Sequence, residues 1–183
     1  GEAVSTVPLP SAAGRLLLEK CTALKADFVA YTPQRVWFPP DSDRIAVFGQ
    51  YNRIALEQRR EPMEFAYLQN DFSPVLDEGL LKILVIKRDD GDLAYMEQAV
   101  AGLPDVLMDS PETGALEINA LAAGKGNGVA ALCRLLGVTL PEPCVFVDCQ
   151  NDLSMSRSAA HPGAMDNPLE THRICATTPT RTT

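Results

Sequence analysis

The stretch 115–155, ALEINALAAGKGNGVAALCRLLGVTLPEPCVFVDCQNDLSM, constrains the fold of this chain more than any other. Leu116 and Ile118 flank Glu117 in the two-residue period of a strand. A Gly-Lys-Gly turn around Lys125 follows, and Val129, Leu132, Cys133, Leu135 and Leu136 then recur at helical spacing until Gly137 ends the helix. The continuous apolar run 144–147 is of the kind found in a parallel sheet covered on both faces. Asp148, Asn151 and Asp152 crowd the carboxyl end of that strand, where open α/β sheets hold their ligands. Strand, turn, helix, buried strand and acidic loop in this order predict an α/β half-core with a parallel sheet.

The residues before it read differently. Positions 4–9 are β-prone and closed by Pro10, and Ser11 is placed to cap a helix over 11–26 whose apolar side is Leu16, Leu17, Cys21 and Leu24. Short strands over 28–31 and 35–38, separated by Thr32-Pro33-Gln34, give a hairpin signal. A turn-rich break at 39–43 precedes a helix over 44–59, weakened in its middle by Gly49. Positions 65–72 read as either strand or loop, 71–77 contain Pro74, and 81–86, LKILVI, form the clearest strand of the first half. A turn at 88–92 leads into a helix over 93–101 and a strand over 106–109. Together these predict an α+β sandwich, separated from the half-core only by a turn at 111–114.

After the acidic loop the pattern predicts a short helix over 153–159, a strand over 163–165 and a helical turn over 168–174. The tail 177–183 carries five threonines and no apolar anchor, so it is expected to fray.

Composition excludes several classes. The apolar content of 46% over 183 residues is that of a globular protein. With 24 acidic against 16 basic residues, the net charge of −8 argues against a nucleic-acid surface, which needs clustered Lys and Arg. No apolar run approaches the roughly 20 residues of a membrane helix, and no basic-then-apolar leader opens the chain. A cytoplasmic protein with no membrane or nucleic-acid partner is therefore expected. The five cysteines, Cys21, Cys133, Cys144, Cys149 and Cys175, show neither CxxC nor zinc-ligand spacing and read as small core residues. Cys149 lies between carboxylates that would raise its pKa, which argues against a nucleophile. His161 and His172 have no acid at triad spacing and read as surface residues, and Trp37 with Phe38 reads as packing.

The order of these parts resembles the haloacid dehalogenase (HAD) superfamily of phosphatases, in particular its Cof-type branch with a large mobile cap. Lys125 in Gly-Lys-Gly-Asn-Gly resembles the family's motif-three lysine. Positions 147–155, Val-Asp-Cys-Gln-Asn-Asp-Leu-Ser-Met, resemble its motif-four loop, Gly-Asp-x-x-Asn-Asp-x-x-Met, with the spacing kept and Val147 in place of glycine. Gly163-Ala164-Met165-Asp166-Asn167-Pro168 resembles the family's Val-Ala-Met-x-Asn-Ala strand and turn. The resemblance implies a partial HAD-like Rossmannoid core with an inserted α+β cap: 1–6 as a core hairpin, 7–112 as cap, and 113–183 as the C-terminal part of the core. The family's nucleophile motif, Asp-x-Asp-Gly-Thr, does not occur in the sequence, nor does a visible motif-two Ser or Thr strand.

For the residues, the resemblance implies a Mg²⁺-dependent phosphatase acting on a small phosphorylated metabolite, possibly a sugar phosphate. Phosphoryl transfer needs a nucleophile, a cation and fixed donors for the phosphoryl oxygens. Asp148 is then a hard oxygen ligand for Mg²⁺, Asp152 supports that ion from outside its inner coordination sphere or through a water, and both otherwise read as helix-capping acids. Lys125 would hold the phosphoryl group as a catalytic and substrate-binding residue, against a plain reading as a solvated turn lysine. Asn151 would donate to substrate phosphate, or else serve as a turn former. Without the nucleophile the chain is expected to lack turnover. A non-catalytic binding or interaction protein on the same fold is the alternative. Oligomeric state has no signature in these residues.

Overall fold

A computed structural model describes residues 5–86, 92–110, 114–139, 144–147, 152, 154–155, 161–164 and 178–179. The chain divides into two compact units, Val7–Leu121 and a second made of Gly1–Thr6 with Ala122–Thr183.

The first unit is a six-stranded sheet with helices on both faces. Its elements are α1 (Ser11–Ala23), β1 (Asp27–Tyr31), β2 (Arg35–Phe38), α2 (Arg44–Glu57), β3 (Glu64–Tyr67), α3 (Ser73–Asp77), β4 (Lys82–Ile86), α4 (Asp92–Ala101), β5 (Val106–Asp109) and β6 (Ala115–Ala120). The strand order is β3-β2-β1-β4-β6-β5. Only β2 and β3 run parallel; β1 is antiparallel to β2 and β4, and β6 is antiparallel to β4 and β5. The ambiguous stretch 65–72 thus resolves into strand followed by loop, and Pro74 sits in the first turn of α3, where its missing N–H costs nothing.

Alternation along the strands sorts the core into two layers. Phe28 and Ala30 of β1, Ile83 and Val85 of β4, and Leu116 and Ile118 of β6 share one buried cluster with Leu17, Leu18 and Cys21 of α1, Val75 of α3 and Met96 of α4. On the other face Val29, Val36 and Phe38 pack with Phe48 of α2. The Phe38 ring meets Phe48 and Phe65 edge-on, with centroids 5.3 and 5.4 Å apart. Such contacts add about 0.5–1.5 kcal/mol each beyond area burial.

The apolar side of α1 is rotated from the expected one. Gly14, Leu17, Leu18 and Cys21 are buried while Leu16 is 36% exposed. A side chain at Gly14 would come within 3.1 Å of both Leu76 and Leu80, so the glycine lets α1 approach its neighbours closely. The helix also ends three residues early. The Ala26 N–H reaches back to the Cys21 carbonyl at 3.0 Å with Lys25 at φ 52°, closing the helix by a left-handed cap. Positions 5–10 do not form the expected strand; the segment is anchored by the Leu9 N–H donating to the Leu80 carbonyl at 2.7 Å.

β6 lies within the first unit, between β4 and β5, whereas the sequence reading began the second segment at 113. Its register explains the difference. Ile83 faces Ile118 and Val85 faces Leu116, so the alternating apolar residues complete the α+β core.

The second unit contains α5 (Lys125–Leu136) and a parallel sheet of β7 (Cys144–Val147), β8 (His161–Ala164) and β9 (Thr178–Pro179), in the order β7-β8-β9. The parallel strand at 144–147 is therefore where the apolar run predicted it. Thr178 and Pro179, in the tail expected to fray, pair with Gly163 and Ala164 as a third strand; β-prone threonine in a parallel ladder needs no apolar anchor of its own. The expected helices over 153–159 and 168–174 lie largely outside the described residues. α5 ends as predicted, with Gly137 at φ 68°.

Candidate functional site

α5 begins at Lys125 because Gly124, with φ −56° and ψ 146°, leaves the helical conformation just before it. Glycine offers no side chain to cap the first turn, so the first N–H groups need partners from elsewhere. Ser154 supplies one: its hydroxyl oxygen accepts the Gly126 N–H at 3.1 Å. On the loop side, the Asn127 amide donates to the Ala122 carbonyl at 3.2 Å, and the Gly124 carbonyl accepts the Asn127 N–H at 2.9 Å. The Gly-Lys-Gly-Asn sequence is thus a fixed turn and helix start rather than a loose loop.

The Lys125 ammonium forms a hydrogen-bonded ion pair with the Asp152 carboxylate across 27 positions of sequence. The two ends differ in environment. The Asp152 side chain is 5% exposed and the Lys125 side chain 50%. A carboxylate so buried is costly to leave charged without a compensating cation, which Lys125 supplies. The Lys125–Asp152 and Gly126–Ser154 contacts together tie the helix start to the acidic loop after β7. One end of the site is therefore anchored and the other reaches solvent, the disposition of an ammonium held in a fixed direction.

Of the four residues singled out from sequence, the structure brings Lys125 and Asp152 together; Asp148 and Asn151 lie outside the described residues. Ser154 escaped the sequence reading. Its only signal is a hydroxyl residue two positions beyond Asp152, and such residues are common in loops for many reasons. Among the described residues no group of three or more His, Cys, Asp or Glu side chains converges as a metal site. The donor chemistry of Asp148 and Asp152, two hard carboxylates four positions apart in sequence, is of the kind that suits Mg²⁺.

Neither Cys21 nor Cys133 competes as a nucleophile. Cys21 is fully buried and its thiol is pushed by that burial from 9.0 up to about 12, while Cys133 is 6% exposed within α5. Trp37 is 8% exposed and packs in the larger core cluster, with its indole N–H donating to Glu78 at 3.1 Å, as a packing role requires.

A parallel sheet with a lysine-bearing helix start and an acidic loop, joined in sequence to an α+β unit, places the chain in the Rossmann-like α/β class. The family model for haloacid dehalogenase-like hydrolases matches residues 1–182, and the chain belongs to that family. Nothing among the curated proteins matches it. Among solved structures, a haloacid dehalogenase-like hydrolase from B. subtilis superposes with a TM-score of 0.73 at 19% identity, over 95% of this chain and 67% of that one. A haloacid dehalogenase-like hydrolase from Bacteroides thetaiotaomicron gives a TM-score of 0.72 at 22% identity, over 95% and 62% of the two chains. A sugar phosphatase of HAD subclass IIB gives 0.71 at 15% identity, over 98% and 64%. The likeness is one of fold, and the chain spans about two thirds of the length of these relatives. Among the described residues no helix is long and apolar enough to cross a membrane.

Proposed function

We propose that this chain supplies the phosphate- and cation-binding half of a Mg²⁺-dependent phosphatase site for small phosphate esters, with sugar phosphates as the substrate class. The observation that carries the reading is the Lys125–Asp152 ion pair, which joins the two segments that resemble motifs three and four. In this reading Asp152 is a positioning residue that directs the Lys125 ammonium, and Lys125 neutralises phosphoryl oxygens. Asp148 would hold Mg²⁺, with Asp152 supporting the ion from outside its inner coordination sphere, and Asn151 would donate a hydrogen bond to the phosphate. The bound ion would supply charge neutralisation of the phosphoryl group. The subclass IIB sugar phosphatase of the same fold supports the choice of substrate class.

Because Asp-x-Asp-Gly-Thr does not occur in the 183 residues, binding and turnover separate in this reading. Calorimetric titration of the 183-residue chain with inorganic phosphate in the presence of Mg²⁺ is expected to show saturable binding, weakened about tenfold in Lys125→Met. The double variant Lys125→Met/Asp152→Asn, which removes both charges of the ion pair, separates lost binding from lost folding. Equal affinity in the wild type and the folded double variant would sink the assignment. No turnover of an aryl phosphate above a buffer control is expected. Mg²⁺-dependent turnover abolished by Asp148→Ala would show that another group attacks phosphorus.

A further inference from the structure

We infer that the α+β unit carries a second ligand site, for a small neutral heteroaromatic molecule, in the cleft between the end of α1, the turn after β2 and the loop before α3. The cleft has a volume of about 460 Å³, within the range of small-molecule sites. Its floor is apolar and buried: Cys21, Ala26, Phe28, Leu68 and Phe72 line it, none more than 7% exposed. Thr22, Gln69 and Asn70 line it from exposed positions, and Pro39 and Pro40 complete the lining with them.

Each wall is fixed by its own hydrogen bonds. The α1 wall ends in the left-handed cap at Lys25, closed by the Ala26 N–H on the Cys21 carbonyl. In the second wall two prolines restrict φ, and the Ser42 N–H donates to the Pro39 carbonyl at 3.1 Å. The third wall is held at both ends, by the Leu68 N–H on the Phe38 carbonyl at 2.8 Å and by the Asp71 carboxylate accepting the Ser73 N–H at 2.9 Å. A cleft whose three walls are set independently of any occupant loses little ordering entropy on binding.

The lining chemistry selects the ligand. Lys25 and Asp41 line the cleft as one cation and one anion, each already engaged within the protein, so the lining carries no net charge to select an ionic ligand. Polar recognition falls to the Gln69 and Asn70 carboxamides and the Thr22 hydroxyl, each both donor and acceptor. A carboxamide pairs with adjacent donor and acceptor atoms on a heterocycle edge, as it does with adenine. The aromatic and proline lining suits the flat apolar faces of such a ring. A sugar would set hydroxyls against the apolar floor, and a phosphate would find no free cation. The site is independent of Lys125 and of the phosphatase reading.

The test is a titration of the ¹⁵N-labelled 183-residue chain with adenosine, followed by amide chemical shifts, with ribose and inorganic phosphate as separate arms. Saturable shifts confined to the backbone amides around Thr22, Ala26, Gln69, Asn70 and Phe72 are expected with adenosine and not with ribose or phosphate. Gln69→Ala/Asn70→Ala, both at exposed positions, should keep the spectrum dispersed and raise Kd about tenfold. Absence of shifts at the cleft, equal shifts with ribose, or an unchanged Kd in the double variant would overturn the proposal.

Discussion

At the scale of single residues, three helices end by the same device with different side chains. α1, α2 and α5 each end on a residue at positive φ: Lys25 and Arg59 just after their caps, and Gly137 at the cap itself. In each, the next N–H bonds the carbonyl five residues back: Ala26 to Cys21, Arg60 to Ala55 and Val138 to Cys133. Glycine adopts that conformation freely, whereas a side chain there meets the backbone and costs about 1–2 kcal/mol. Gly137 was legible as a helix stop for this reason, and Arg59 was not. Arg59→Gly should stabilise the protein by about 0.5–1 kcal/mol, the relieved strain exceeding the added entropy of the unfolded chain. Urea denaturation of the two proteins measures it; a lower midpoint in the variant would show that the Arg59 side chain contributes more than its backbone costs.

Among the elements, the α3 end and the β1–β2 hairpin are joined by a polar hub that hydrophobic periodicity does not reveal. Glu78 accepts from the Thr32 hydroxyl at 2.7 Å and from the Trp37 indole N–H at 3.1 Å, and its other oxygen lies 3.0 Å from Arg35 Nε. The Arg35 contact is an ion pair by distance without the alignment of a hydrogen bond, since the same nitrogen has no hydrogen-bond partner among the described residues. With the Glu78 side chain 16% exposed, removing it takes the acceptor from the buried Trp37 indole N–H, leaves the Thr32 hydroxyl with the Arg35 carbonyl, and removes the closer of Arg35's two ion pairs. Glu78→Ala should therefore destabilise by about 2 kcal/mol. Glu78→Gln, which keeps an acceptor for Trp37 or Thr32, should cost less. Thermal unfolding of the two variants gives the comparison, and equal losses would mean that charge rather than hydrogen bonding matters at this position. A second such link, the Asn52 side chain bonded to both the Met63 N–H and carbonyl at 2.8 and 2.9 Å, fixes the entry to β3. That clamp is why an ambiguous stretch begins as a strand.

For the whole molecule, the division at Leu121 makes a sharp expectation about independent folding. A fragment covering 7–121 retains all six strands and both core layers, so it should fold alone with a cooperative thermal transition. A fragment ending at 112 lacks β6, the strand that bridges β4 and β5, and should be disordered or aggregate. Circular dichroism and two-dimensional NMR distinguish the two. A well-dispersed spectrum from 7–112 would return the boundary to the turn at 111–114.

The sequence by itself determined the kinds and order of most elements, because strand alternation and helical spacing are local properties of buried faces. It determined the helix start at Lys125 and the parallel strand at 144–147, where a lysine between glycines and a short apolar run need only short-range order to be visible. Only the tertiary structure decided which sheet received β6. Its alternating residues satisfy any half-buried position, and the choice rests on partners some thirty residues away, Ile83 and Val85. The tertiary structure also decided that Asp152 meets Lys125 and that Ser154 caps Gly126, contacts across 27 and 28 positions that no local pattern encodes. The rotated face of α1 has the same cause. Leu16, Leu17 and Leu18 are equally apolar, and the close approach allowed by Gly14 selects which of them is buried.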